Sequence, residues 1–432
     1  MTMLKSFRAA CCLAVLSGAV YAMAYPPLGW GWLVIPGLGG LLLALRGQQG
    51  TRARVLGLLH GMTAYGLSLS WMVHIFGGLA VVLWCILAAF TVLFAEMQSR
   101  AEGRGIRGMK LAVFTALNWC GWEFIRAELF PLDFPWMTAG LGMGPNAFLP
   151  WVGVYGVSAV VMFCVVLLVM KRWKSAAAVV TLLILAVVMS SRCLEPGAND
   201  PLAVEIGGVQ LEGVSMNEYL AGTKQLPPGI KHVVWPECAV PYDLRTNERD
   251  WSIIKNLCSE RGITLTLGTK SIASDGDKWR NIALTVDPTG VCGEHTKVHT
   301  VHLFDDGTAG TSALPVPTNH GKVGTPICYD GDYDGVVRKM TAAGAEMFVI
   351  PTMDAESWTA KQHDQHAQLA RIRACENGRW IFVCATSGVS QVIDSSGHVH
   401  ARLAALQQGV LSGTLKRETK LSFYTRFGWL TP

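Results

Sequence analysis

VVMFCVVLLVMKRWKSAAAVVTLLILAVVMSSRCLEPGANDPLAVEIGGVQL, residues 160–211, changes its preferred solvent part-way along. Two apolar runs, parted by the basic KRWK, give way near residue 193 to the polar SSRCLEPGANDP and then to AVEIGGVQL, which reads as a β-strand. A run of about 20 apolar residues crosses a bilayer as a helix. Toward the N-terminus the same pattern recurs, and spans are expected near 7–24, 27–45, 55–75, 77–96, 111–128, 149–170 and 175–191. VYAMA (20–24) is weakly like a signal-peptide cleavage site, but the PPLGW turn and further apolar runs follow at once, so the first run is read as a retained span.

Composition agrees with a divided chain. Of 432 residues, 51% are hydrophobic and 16% charged, with a mean hydropathy of +0.33. The formal charge of +5 is small and sits largely in loops between apolar runs, which argues against nucleic-acid binding. Lys5 and Arg8, then Arg46, Arg52 and Arg54, then Arg100, Arg104, Arg107 and Lys110, then Lys171, Arg172 and Lys174 occupy alternate loops. Basic loops face the cytoplasm. An odd number of spans then puts the second domain outside it, in a bacterium on the periplasmic side of the inner membrane. The expected division is a polytopic transmembrane helix bundle over 1–192 and an extracytoplasmic α/β domain over 193–432. Glu123 and Arg126, on one helix, read as an intrahelical ion pair near the outer interface.

Beyond residue 200 strands and helices alternate, the pattern of a layered α/β domain. WSIIKNLCSERG is an amphipathic helix stopped at Gly262, and NIALTVDPTGVCGEHTKV a hairpin around Asp287–Gly290. Three side chains stand in distinctive settings: Glu237 in HVVWPECA, Lys297 in EHTKVH and Cys328 in TPICYD. Cys328 ends a strand and precedes a turn into a helix, whose N-terminal dipole favours thiolate. Glu237, also at a strand end, can accept the thiol proton. The ammonium of Lys297 can hold the oxyanion of a tetrahedral intermediate. The 12 cysteines show no zinc-like spacing; seven, Cys193 among them, lie beyond the apolar half, and disulfides there are permitted but unassigned. His363 and His366 read as part of a polar helix start rather than a metal pair, and His295, His299 and His302 as a surface or substrate rim.

The order Glu, Lys, Cys in these settings resembles the nitrilase, or carbon–nitrogen hydrolase, superfamily. YPPLGWGWL (25–33), GMTAYGLSLSWM (61–72), WEFIRAELFPLDFPWM (122–137) and LPWVGVYGVSAVVM (149–162) resemble the apolipoprotein N-acyltransferase family, so the resemblance covers most of the chain. It implies a nitrilase-like αββα sandwich behind the helix bundle, with Glu237 as general base, Lys297 as oxyanion-stabilising cation and Cys328 as nucleophile. Asp305 stands where the family has a second active-site glutamate, Tyr329 and Asp330 follow the cysteine as the family's Tyr-Glu does, and QHAQLARIRACENGR (365–379) matches its next helix. The implied reaction is a ping-pong acyl transfer without cofactor or metal, from a phospholipid through a cysteine thioester to the N-terminal amine of a diacylglyceryl-cysteine lipoprotein. The partners implied are phospholipid donor, diacylated apolipoprotein acceptor and bilayer, with no nucleic acid and a monomeric enzyme.

The sequence departs from the family in places. It stops at FYTRFGWLTP, about where an eighth span is expected, and the stretch between VQLEG and HVVWPE is short enough that a helix flanking the site is expected to be missing. A tethered amidase, or a lipoprotein-binding paralogue without turnover, are the alternative readings.

Overall fold

The computed structural model describes residues 6–188, 196–197, 200–272 and 278–428. The chain forms two compact units, Met1–Ser190 with Phe427–Pro432, and Ser191–Arg426. The predicted boundary at 192/193, and Cys193 with it, lies outside the described residues.

The apolar half forms helices α1 (Phe7–Ala22), α2 (Val34–Leu45), α3 (Thr51–Ser68), α4 (Leu79–Gly103), α5 (Gly108–Phe124), α6 (Leu149–Val169) and α7 (Trp173–Val188). Two of them, α4 and α6, are long and apolar enough to cross a membrane, and Phe7–Ala22 and Gly31–Leu45 are shorter apolar helices. Small residues bring these helices close. A Cβ at Gly61 would lie 2.9 Å from Cα of Ala88, so α3 and α4 touch backbone to backbone there. Local chemistry trims the predicted spans. The second begins late, because Pro27 and Gly29, at φ 63°, hold the chain out of helix until the turn at Gly31–Leu33. The third ends at Ser68, and a separate short helix, Met72–Phe76, follows. α6 is kinked at Gly153, where φ is 65°.

Glu123 and Arg126 reach away from each other's helix turn to the loop that follows. Oε1 of Glu123 accepts the indole N–H of Trp119 and the backbone N–H of Ala139, each at 2.7 Å. Nη1 of Arg126 donates to the carbonyl of Phe134 at 2.6 Å. Both buried side chains therefore hold the loop 134–139, which the sequence did not indicate.

The second unit is built on two six-stranded sheets. One contains β1 (Ala203–Gln210), β2 (His232–Val234), β3 (Thr264–Ile272), β4 (Trp279–Asp287), β5 (Gly290–Thr296) and β12 (Gly409–Lys416), in the order β12-β1-β2-β3-β4-β5. The other contains β6 (Val316–Thr318), β7 (Gly321–Gly324), β8 (Met347–Thr352), β9 (Ile381–Ala385), β10 (Ser390–Ile393) and β11 (Val399–Leu403), in the order β11-β10-β9-β8-β7-β6. β1, β2 and β3 run parallel, as do β7, β8 and β9, while the outer strands are antiparallel. Alternation along a strand sends neighbours to opposite faces. Val204, Ile206 and Val234 meet Met347, Val349 and Phe382 between the sheets. Val209, Val233, Trp235, Leu265 and Leu267 form a separate core on the first sheet's other face with Tyr219, Ile254 and Leu257. Helices α8 (Met216–Gln225) and α9 (Glu248–Arg261) supply those partners, and α10 (Asp334–Ala342) packs on the second sheet through Val336, Val337 and Met340. With α11 (Ala360–Asn377) the layers are helix, sheet, sheet, helix. The helix expected to be missing before HVVWPE is represented by α8, whose start carries a capping box between Ser215 and Glu218. Asn247 and Thr359 cap α9 and α11, and Gly262 and Gly378, both at φ 61°, end them.

Candidate active site

The site forms where strands of both sheets end. Glu237 lies three residues beyond β2, Lys297 follows β5, Cys328 lies four beyond β7, and Met353 follows β8. β3 must pass close behind Glu237: a Cβ at Gly268 would lie 2.4 Å from Cα of Glu237, and Gly268 exchanges backbone hydrogen bonds with Pro236 and Val240.

Glu237, Lys297 and Cys328 are all buried and come together. Nζ of Lys297 donates to Oε1 of Glu237 at 2.8 Å and to Oδ2 of Asp306 at 2.7 Å. Asn281 donates its amide to Oε1 of Glu237 at 2.7 Å and to Oδ1 of Asp306 at 2.9 Å, so the four side chains form a closed ring. Met353 joins this ring to the sulfur. Its N–H donates to Oε2 of Glu237 at 2.9 Å, and its carbonyl accepts the thiol of Cys328 at 3.7 Å. Burial lowers the affinity of Lys297 for its proton, but Glu237, Cys328 and Asp306 outweigh it and hold the ammonium well above the ordinary lysine value.

Cys328 opens a tight turn, Cys328–Gly331, at φ 46°, a left-handed conformation that side chains disfavour. The groups around the sulfur work against the thiolate that a helix dipole favours. Burial pushes the thiol well above its ordinary value, the charge of Glu237 adds to this, Lys297 opposes it, and Asp354 and Asp332 add further. These surroundings favour the thiol form, whose S–H donates to the carbonyl of Met353.

Asp330 is buried in place beneath this turn. Its Oδ1 accepts the backbone N–H of Val298 (2.9 Å) and of His299 (2.7 Å), and its Oδ2 that of Ile327 (3.2 Å) and faces Nε2 of His295 (2.9 Å). Burial alone would raise its pKa, but His295 and His299 hold the carboxyl far below the usual range. Tyr329 is partly buried, edge-on to Tyr333 with centroids 5.0 Å apart.

Several expectations are corrected here. Asp305 is exposed, and its neighbour Asp306 is the aspartate on Lys297; the turn that places it is closed by Val301, whose N–H donates to Oδ2 of Asp306 at 2.9 Å. His295 is no rim residue but a buried partner of Asp330, and His299 stacks on Tyr333 at 3.9 Å. His366 is drawn inward, between Asp332 and Asp354. Asn281 and Met353 carried no signal in the sequence, the first lying inside an ordinary strand and the second acting through its backbone. Among the described residues no group of histidines, cysteines and carboxylates could hold a metal ion, and the eleven described cysteines are unbridged.

A cavity of about 20 Å³ is lined by Cys328, Asp332, Thr352, Asp354 and His366. A larger cleft, about 370 Å³, lies between the starts of α8 and α9, lined by Ser215, Tyr242 and Arg249 among others, and by none of Glu237, Lys297 or Cys328.

Residues 17–167 match the apolipoprotein N-acyltransferase N-terminal domain family, and residues 214–421 the carbon–nitrogen hydrolase family. The chain is 27% identical to the apolipoprotein N-acyltransferase of Geobacter metallireducens, over 96% of this chain and 91% of that one. It is 26% identical to that of Pseudomonas aeruginosa, with the same coverage. Among solved structures it is similar to Nit3 of Saccharomyces cerevisiae, a member of branch 10 of the nitrilase superfamily, at 21% identity and a TM-score of 0.44, over 54% of this chain and 97% of that one.

Proposed function

The chain belongs to the apolipoprotein N-acyltransferases of the nitrilase superfamily, and from that membership we propose that it transfers a fatty acyl chain from a phospholipid to the N-terminal amine of a diacylated lipoprotein. The observation that carries the reading is the buried Glu237–Lys297 pair joined through Met353 to the sulfur of Cys328.

In the first half-reaction Glu237 takes the thiol proton while the sulfur attacks the ester carbonyl. A thiol held protonated by its surroundings needs that base within reach. The ammonium of Lys297 is fixed, buried and charged, as an oxyanion partner must be. Collapse of the tetrahedral intermediate breaks the ester C–O bond. The proton held on Glu237 passes to the departing oxygen, giving a lysophospholipid and a Cys328 thioester. In the second half the lipoprotein α-amino group attacks the thioester, Glu237 accepts its proton, and the thiolate leaves and is reprotonated. Asp306 and Asn281 keep Lys297 and Glu237 in register throughout, and no cofactor is required.

The apolar half supplies the membrane setting. Seven helices with basic alternate loops support a multi-pass arrangement, with the second unit on the periplasmic side of a bacterial inner membrane. Both substrates are held in that bilayer by their acyl chains.

The test is the intact mass of the purified protein after incubation with phospholipid vesicles. One added acyl mass, absent from Cys328→Ala and discharged by a diacylated lipopeptide that becomes acylated, is the expected result. Acyl mass on the Cys328→Ala protein overturns the assignment of the nucleophile. Rapid release of free fatty acid without amine acylation makes the protein a hydrolase.

A further inference from the structure

Helix α11 brings a further charged cluster to the same sulfur, and the chemistry above makes no use of it. Nδ1 of His366 lies 2.8 Å from Oδ1 of Asp354, and Nε2 lies 3.1 Å from Oδ1 of Asp332. A ring with a carboxylate oxygen at each nitrogen donates from both and is an imidazolium. Burial opposes that charge, but Asp354 and Asp332 outweigh it and hold the ring well above the ordinary histidine value.

The two carboxylates come from the two segments that frame the cysteine. Asp332 closes the turn that Cys328 opens, its N–H donating to the carbonyl of Tyr329 at 3.1 Å. Asp354 follows Met353, the residue whose backbone reaches both Glu237 and Cys328. Cys328, Asp332, Asp354 and His366 line one small cavity, with room for about one water molecule.

We propose that His366 is a positioning residue for Cys328: its ring buckles the nucleophile turn to the segment 353–354 and cancels carboxylate charge beside the sulfur. The proposal rests on the reading of Cys328 as the nucleophile. The groups facing that sulfur are Glu237 beyond β2, Lys297 beyond β5, Asp332 on its own turn, Asp354 beyond β8 and His366 on α11, with His363 a turn earlier acting on Asp354. Three carboxylates resist formation of a thiolate, whereas Lys297 and His366 favour it. Without the imidazolium, the positive charge that opposes Asp332 and Asp354 beside the sulfur is lost and the thiol is harder to ionise.

The experiment is the pH dependence of iodoacetamide alkylation at Cys328 in the full chain in detergent, followed by mass spectrometry of the peptide that carries it. The thiolate displaces iodide and no lipid is needed, so the readout does not depend on acyl transfer. His366→Gln is expected to move the midpoint of the profile up by about one pH unit. Adding Asp332→Asn to that variant is expected to bring the midpoint back toward wild type, because the charge that the ring had cancelled is gone. A merely structural role moves neither. An unshifted midpoint in folded His366→Gln, or a double variant that keeps the shift, overturns the proposal. If His366→Gln does not fold, Asp332→Asn alone decides: a lowered midpoint supports the proposal, an unchanged or raised one overturns it. If the wild type takes no acyl group from phospholipid while the shift and its reversal are both seen, the acyl-transfer reading fails and the buckle stands.

Discussion

The carboxylate of Asp330 accepts the backbone N–H of His299 at 2.7 Å, so the turn that carries Cys328 and the strand end that carries Lys297 hang on one acceptor. Asp330 lies two residues past the cysteine and His299 two past the lysine. Their bond sets the distance between proposed nucleophile and proposed oxyanion cation without touching either.

Asp330→Asn is therefore expected to destabilise the protein by about 1–3 kcal/mol, since an amide cannot accept at both positions and one buried donor is left unpaired. The loss depends on pH in a defined direction. The folded-state pKa of Asp330 is depressed, so its contribution is present above the unfolded value of about 3.9 and is lost as pH falls through the folded one. Thermal unfolding of wild type and variant should show a gap at pH 7 that closes in acid. A gap that widens in acid contradicts the bonding described.

Lys297 and Glu237 are both buried, and removing the lysine takes away the cation that Glu237 and Asp306 share. Lys297→Met should cost about 3–5 kcal/mol, and adding Glu237→Gln should restore part of that stability. Neither variant should form a thioester. Denaturation midpoints and intact mass, measured together, separate the structural from the chemical loss.

The left-handed backbone at Cys328 predicts an unusual order among inactive variants. Glycine adopts that conformation without penalty, so Cys328→Gly should exceed Cys328→Ala in stability by about 1 kcal/mol. Equal melting temperatures would mean that the turn relaxes once the sulfur is gone.

Asp306 and Asp305 are adjacent and alike in chemistry, yet only Asp306 touches Lys297. Asp306→Asn should slow thioester formation at least about tenfold, as expected for losing about 1.4 kcal/mol of charge-assisted support. Asp305→Asn should leave the rate near wild type. The reverse pattern would restore the assignment that the family resemblance implies.

Much of this could be read in the sequence because it depends on local pattern. The apolar runs, the strands that carry HVVWPE and the αL stops at Gly262 and Gly378 are set by nearest neighbours. What escaped depends on chain path. The loop beyond Lys297 is neither helix nor strand, so counting residues along it could not tell Asp305 from Asp306. His366 looked like one more polar residue at a helix start because its partners, Asp332 and Asp354, arrive from two other turns. β6 is short, three residues, and β12 crosses the whole sequence to pair with β1, so their places followed from the sheets and not from their own composition.

Gly268 keys one sheet into the site. It is the one position on β3 where the chain can lie against the backbone of Glu237, and it pairs with Ala283 across the ladder to β4. A slip of β3 by one residue would drive Leu267 or Thr269 into that contact and halt assembly there. A misaligned hairpin thus cannot close over the glutamate, and the notch that admits the acid also proofreads the register of the strand behind it.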